Sequence, residues 1–418
     1  MTPSGTSTSS AEVQAPSPSL YELLDPEVLS DPYPLYRRLR EYDPVMWDPP
    51  LHAWVVTDYS GVKEVLTKFS ANRTPTPEQL GAMGMRSLEP VAEVMVRQML
   101  FMDAPAHTRM RGLCASAFTS RRVDSLREHI QDVADRLIDR VISQGRMDVI
   151  ADFAAPLPAI VTAELMGLPT SDHEQLKSWS ADFAEMLGNF QHNPDRVSTV
   201  VRSVGEMSGY LRSAMREQAR CPRKGLVRLL MDASVDGARL NDDEVIANII
   251  VTMVGGQETT TNLIGNGLLT LIRQPELLAQ LRDNPSIMEP AVEELLRYES
   301  PSQHTARLAP MDMVLGGKPI RKRQAVMAVM AAGNRDPAQF SDPDRLNLTR
   351  PQNRHLAFGW AAHFCFGAPL ARIEGQVAFG TLLRRLKGLA LGSEPLVWRQ
   401  NLGLRGLTSL PITFDANP

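Results

Sequence analysis

From Val245 onward the chain is apolar on nearly every side of a helical wheel, and the run ends only at Pro275. Asn241, followed three residues later by Glu244, forms a capping box. Asp242, Asp243 and Glu244 place negative charge where a helix N-terminus favours it. A helix that is hydrophobic all round belongs in a core. A second helix-like segment runs from Ala368 to Leu386, while Ala53 to Thr57 and Gln324 to Met330 read as short strands. The pattern predicts a mainly α fold with small β-sheets and shows no internal repeat. It also predicts one domain over 19–418 after a disordered leader, 1–18, rich in Ser, Thr and Pro.

The central helix contains a segment that works against it, Gly255-Gly256-Gln257-Glu258-Thr259-Thr260-Thr261. Two adjacent glycines cost about 2 kcal/mol of helix stability relative to alanine, and a buried carboxylate costs more unless it is hydrated or paired. Such a segment is either a helix-packing notch with a satisfied polar residue or a groove kept open for a ligand.

With 418 residues, 43% of them hydrophobic, the chain can bury a large core. A net charge of −4 and the absence of a long Lys/Arg run give no reason to expect a nucleic-acid partner. The leader has no apolar run, so neither a signal peptide nor a membrane anchor is expected. Cys114, Cys221 and Cys365 form no CxxC, which argues against zinc, iron-sulfur and disulfide frameworks. It also fits a reducing, cytoplasmic location. One cysteine has a distinctive setting: Cys365 lies in Phe358-Gly359-Trp360-Ala361-Ala362-His363-Phe364-Cys365-Phe366-Gly367, directly before the second helix. There Gly367 lets amides turn toward the sulfur, Phe358 can cover it, and the helix start favours a thiolate. A single thiolate offered to a single metal points to haem iron.

The stretch Phe358 to Arg372 resembles the ligand loop FGxGxHxCxGxxLAR of bacterial cytochromes P450, with Ala361 in place of the second glycine. The resemblance runs from about Asp25 to the C-terminus. It implies the P450 fold, with haem b held between the long oxygen-activating helix and the loop and helix that carry the Cys365 ligand. The family phrase AG-x-[DE]-T matches Gly256, Glu258 and Thr259, with Gly255 where alanine is usual. By that resemblance Thr259 handles protons for the oxygen being reduced, Glu258 links a water chain to solvent, and Gly255 and Gly256 make room. His107, Arg111, Arg307 and His363 are implied as partners of the haem propionates, and Phe358, Gly359 and Gly367 as shapers of the loop. Glu294 and Arg297 belong to an ExxR pair, expected to form a buried network with Arg345.

The activity so implied is monooxygenation of a C-H or C=C bond in a medium-sized, largely apolar small molecule of bacterial specialised metabolism. A ferredoxin and ferredoxin reductase would supply electrons to a monomer, and the substrate could be free or carrier-bound. Two alternatives stand beside it: a peroxygenase driven by hydrogen peroxide, and a non-oxidising haem-thiolate domain that recruits carrier-bound substrates. A basic docking face would draw on Arg109, Arg111, Arg350, Arg354, Arg372, Arg384, Arg385 and Lys387, which read equally well as a solvated surface. Substrate contacts are expected from 74–102, with Met83, Met85, Met95, Met99 and Met102; from 186–196, with Phe183, Met186, Leu187 and Phe190 as lid or core; and from 302–309, with His304. Ordinary packing accounts for these residues equally well.

Overall fold

Asn241 caps the central helix as its spacing predicts: its side chain accepts the Glu244 amide at 2.9 Å, and Glu244 accepts the Asn241 amide at 3.0 Å. The computed structural model describes residues 17–115, 118, 123–188, 194–235 and 238–416, so nearly all of the expected leader, and Phe190, lie outside the described residues. The helices that matter for the site are α1 (Ala106–Ala115), α2 (Arg127–Asp139), α3 (Pro156–Met166), α4 (His173–Gly188), α5 (Pro194–Arg220), α6 (Asp242–Ile272), α7 (Met288–Tyr298) and α8 (Ala368–Arg385). The strands are β1 (Val45–Asp48), β2 (Ala53–Val56), β3 (Thr305–Leu308), β4 (Ala325–Ala328), β5 (Val397–Trp398) and β6 (Leu407–Ser409).

Helix α6 is the axis of the molecule. It packs against α3, α4, α5 and α8, and α8 in turn packs on α2 and α7. Because α6 is enclosed on several sides, nearly every side chain from Val245 to Leu271 is buried, as its unbroken hydrophobicity requires. Pro275 opens the following helix and cannot extend α6.

Both expected strand segments form, in one sheet ordered β1-β2-β4-β3. The β2–β4 pair is parallel, with Ala53 opposite Ala325, and the outer pairs are antiparallel. Strand β4 ends two residues early because Met330–Gly333 turns into a short helix. The hairpin of β5 and β6 returns the C-terminal chain toward the centre, where Arg405 stacks on Trp398 at 3.6 Å and pairs with Glu299 at 2.9 Å. Among the described residues no helix is long and apolar enough to cross a membrane.

Glu294 and Arg297 on α7 form a fully buried bidentate pair, with both contacts at 2.8 Å. The third member is not Arg345. Arg350 reaches both Glu294 oxygens at 3.1 Å, while Arg345 is exposed and contributes only its carbonyl, which accepts from Arg350 and Arg297. The reason is geometric. Residues 341–350 wrap around the guanidinium of Arg350, whose remaining donors go to the Ser341 and Asp342 carbonyls. Arg297 also donates to the carbonyls of Asn334 and Pro343, both at 2.8 Å, so the network ties α7 to the chain leading into the cysteine loop.

Removing one partner of a buried ion network leaves an uncompensated charge. Arg350→Ala is therefore expected to cost about 3–5 kcal/mol, whereas Arg345→Ala should stay within about 0.5 kcal/mol. Chemical denaturation of the two variants checks this, and equal losses would return the role to Arg345.

Candidate active site

The cysteine loop is folded by its own backbone. The Cys365 amide donates to the Phe358 carbonyl at 2.8 Å, and the Gly359 amide to the Leu356 carbonyl at 2.8 Å. Gly359 adopts φ +71, a left-handed value that glycine takes without strain. Ala361, where the resembling family has glycine, also adopts a left-handed φ, +55, so the loop keeps its course at the expense of local strain. Cys365 faces a cavity at the start of α8. Burial pushes its thiol up, while the Gly367 and Ala368 amides and the charges of Arg111 and Arg372 pull it toward the thiolate. A Cβ on Gly367 would sit 3.7 Å from the sulfur, an ordinary contact, so its part is amide access. Cys114, by contrast, is sealed in the core with its thiol pushed up to about 12.

The wall facing this loop is the irregular stretch of α6. Thr259 lines the cavity and donates its hydroxyl to the Gly255 carbonyl four residues back, at 2.6 Å. Its oxygen lone pairs stay available to accept from a guest or a water. The two glycines serve different ends. A Cβ at Gly255 would meet nothing within 4 Å, so this glycine only widens the cavity; one at Gly256 would approach the Thr162 hydroxyl of α3 at 3.1 Å, so that glycine also permits close helix packing. Glu258 does not line the cavity. It is buried, and its carboxylate is bound by Arg399 from the β5–β6 hairpin. Burial raises its proton affinity and Arg399 opposes the rise.

At the edge of the cavity cations outnumber acids, with Asp103 the carboxylate acting on His107, Arg307 and His363. His107 and Arg111 share one face of α1; His107 stacks on His363 with ring centroids 4.0 Å apart, and Arg111 donates to the Phe364 carbonyl at 2.5 Å. Arg307 is buried, and its Nε has no hydrogen-bond partner. Burial lowers Arg307 to about 10. Burial together with the neighbouring His107, Arg307 and Arg73 drives His363 to about 3. Arg73, beside Arg307 and stacked over Phe101, is lowered to about 9 by burial and by Arg307. Its role left no trace in the sequence pattern. Together these groups form a donor-rich rim of the kind that binds carboxylates.

The cavity has a volume of about 320 Å³, within the 300–1,000 Å³ range of small-ligand pockets. A flat macrocycle whose metal would take the Cys365 thiolate and whose two carboxylates would meet the cationic edge fits the chemistry of this lining. The haem implied by the sequence therefore fits the residues present. The sequence reading also missed Glu374 on α8, a cavity-lining carboxyl bonded to Thr260 and pushed up to about 8 by burial.

The other expected positions divide. Met99 lines the cavity. Met83 points to solvent, and Met85, Met95 and Met102 pack against core residues instead. Phe183 is fully buried in the core, Met186 packs against it, and Leu187 reaches the cavity. His304 lines the cavity; its hydrogen bond to the Leu402 backbone supports the charged form, but burial outweighs it and lowers the ring to about 4. Of the expected docking cations, Arg350 is internal, and Arg109, Arg372, Arg384 and Arg385 are paired with Glu244, Glu293, Asp135 and Asp139.

Comparison with known proteins agrees with this geometry. Residues 40–396 match the family described as Cytochrome P450. The biotin biosynthesis cytochrome P450 of Bacillus subtilis is 36% identical over 93% of this chain and 98% of its own length. The cytochrome P450 monooxygenase PikC of Streptomyces venezuelae is 37% identical over 95% of each. The crystal structure of P450BioI in complex with an acyl carrier protein ligated to hexadec-9Z-enoic acid superposes with a TM-score of 0.88 at 34% identity, covering 93% of this chain and 99% of that one.

Relief of the strained turn gives a direct test of the loop. Ala361→Gly is expected to stabilise the haem-loaded protein by about 0.5–1 kcal/mol, net of the entropy glycine adds to the unfolded chain. A denaturation midpoint that falls instead would show that the methyl group packs usefully where it is.

Proposed function

The chain belongs to the cytochrome P450 family and is an oxidoreductase that uses haem b, and we propose that Cys365 is its iron ligand and Thr259 its proton-handling alcohol. The reaction is monooxygenation of a C-H or C=C bond in a medium-sized, largely apolar molecule of bacterial specialised metabolism. The observation that carries this reading is the shared cavity: the loop cysteine and the α6 threonine line one space, together with His107, Arg111, Arg307 and His363.

Bound haem supplies the iron at which dioxygen takes up two electrons and two protons, one oxygen atom leaving as water and the other entering the substrate. The protein's part is to hold and to meter. The Gly367 and Ala368 amides and the charges of Arg111 and Arg372 favour the Cys365 thiolate against the burial that opposes it, and the metal would complete its deprotonation. His107, Arg111, Arg307 and His363, joined by Arg73, hold the propionates, and Phe358, Gly359 and Gly367 shape the loop. Thr259 donates its hydroxyl to the Gly255 carbonyl, so its oxygen would accept from a water and hold it in the cavity. Gly255 and Gly256 leave the space that water needs. Glu258, tied to the partly exposed Arg399, connects the far side of α6 to solvent.

Electrons come from a ferredoxin and its reductase, docked where Arg111 and the exposed Arg354 flank the cysteine loop. A carrier-bound substrate is a second reading, favoured by the likeness to a P450 crystallised with an acyl carrier protein.

Cys365→Ala should abolish the red-shifted carbonmonoxy absorption of the reduced protein, and an unchanged spectrum would reject the ligand assignment. Thr259→Ala should leave that absorption intact while electron consumption is diverted from product to peroxide. Unaltered coupling would remove Thr259 from proton handling, and turnover with hydrogen peroxide alone would favour a peroxygenase.

A further inference from the structure

Adjacent acids on α7 have different neighbours. Glu294 sits in the buried arginine network, whereas Glu293 turns toward the cysteine loop and grips Arg372 of α8 through two contacts, Nε to Oε1 at 2.7 Å and Nη2 to Oε2 at 2.8 Å. Glu293 Oε2 also takes the Nε2 of His355 at 3.2 Å. The Nδ1 of that ring accepts the Ala357 amide at 3.2 Å, so Nε2 carries the proton and donates. Both groups held by Glu293 lie against one aromatic ring. The Arg372 guanidinium is 4.7 Å from the centroid of Phe358, and the His355 ring is 5.7 Å from it. Phe358 in turn supplies the carbonyl that accepts the Cys365 amide.

We propose that Glu293 is a positioning residue which, through Arg372 and His355, fixes the charge and the ring placement behind Cys365 and so sets how readily the bound iron accepts an electron. This rests on Cys365 being the iron ligand. Two effects reach the sulfur from one carboxylate. The first is electrostatic: Arg372 is close enough to act on Cys365, and Glu293 offsets its charge. The second is mechanical, because the planar guanidinium lies over Phe358 only while the bidentate contact aims it there. His355 holds the other side, and its bond to the Ala357 amide ties the same carboxylate to the residue before Phe358.

The electrostatic part has a sign. Glu293→Gln removes a negative charge near the iron, leaves Arg372 uncompensated, and should raise the midpoint potential. Arg372→Gln removes the positive charge, leaves Glu293 uncompensated, and should lower it. Each change should shift the reduction equilibrium by about five- to tenfold, about 40–60 mV at 59 mV per decade for one electron. Arg372→Lys keeps the charge but loses the flat contact, and should stay within about twofold of the parent.

The experiment is a potentiometric titration of the haem-loaded parent and the three variants, with the carbonmonoxy spectrum recorded for each. Shifts of opposite sign for Glu293→Gln and Arg372→Gln, with the red-shifted absorption retained, support the proposal. Unmoved potentials, or shifts of one sign, with that absorption retained overturn it while leaving Cys365 as ligand. A parent protein without the absorption overturns the ligand assignment itself. If Glu293→Gln does not fold, the two Arg372 variants decide: lowering by Gln but not by Lys supports the proposal, and equal behaviour overturns it.

Discussion

An excess of buried positive charge at one edge of an apolar cavity governs this structure. A buried guanidinium is tolerated when an acid or a full set of acceptors meets it, as Arg297 and Arg350 are met by Glu294 and by backbone carbonyls. Arg307 is met less completely: one terminal nitrogen donates to the Thr305 hydroxyl and the Ala306 carbonyl, and Asp103 offsets part of its charge. Its Nε is buried without a partner, and its neighbours are Arg73, His107 and His363, all with lowered proton affinity. Such a cluster opposes folding unless something anionic completes it. A macrocycle with two carboxylates at one edge would do so, and would settle its centre over the sulfur of Cys365.

Everything else in the site can be read as support for that arrangement. The buried acid-arginine network fastens α7 to the chain that precedes the loop, and Glu293, one residue away, fastens α7 to α8 and to the loop itself. Helix α6 supplies the opposite wall, with its irregular residues placed where the cavity needs volume and a hydroxyl. The absent side chain at Gly255 leaves free space beside Thr259, while Gly256 is held small by Thr162. That difference makes the cavity wider than a family consensus would leave it, without loosening the contact between α6 and α3.

Patterns local in sequence were legible from the chain alone. The capping box at Asn241, the all-apolar helix, the loop around Cys365 and the i, i+4 pair His107 and Arg111 each depend on residues a turn or two apart. Contacts set by tertiary closure were not. Arg399 meets Glu258 across 141 positions, and nothing in either local segment announces the other. Arg350 and Arg345 lie in the same irregular stretch with similar surroundings, and only the wrapping of 341–350 decides which guanidinium reaches Glu294. Arg73 is a single arginine in a polar segment, and its meaning comes from Arg307 beside it. The methionines near residue 90 could line a cavity or fill a core by composition, and the fold sends most of them to the core or to solvent.

The most direct measurement is a crystal structure of the protein loaded with haem. The account predicts the Cys365 sulfur bonded to iron, with both propionates gathered among His107, Arg111, Arg307, His363 and Arg73. Iron bound through any other side chain, or propionates turned to solvent with the Arg307 Nε still without an acceptor, would contradict it.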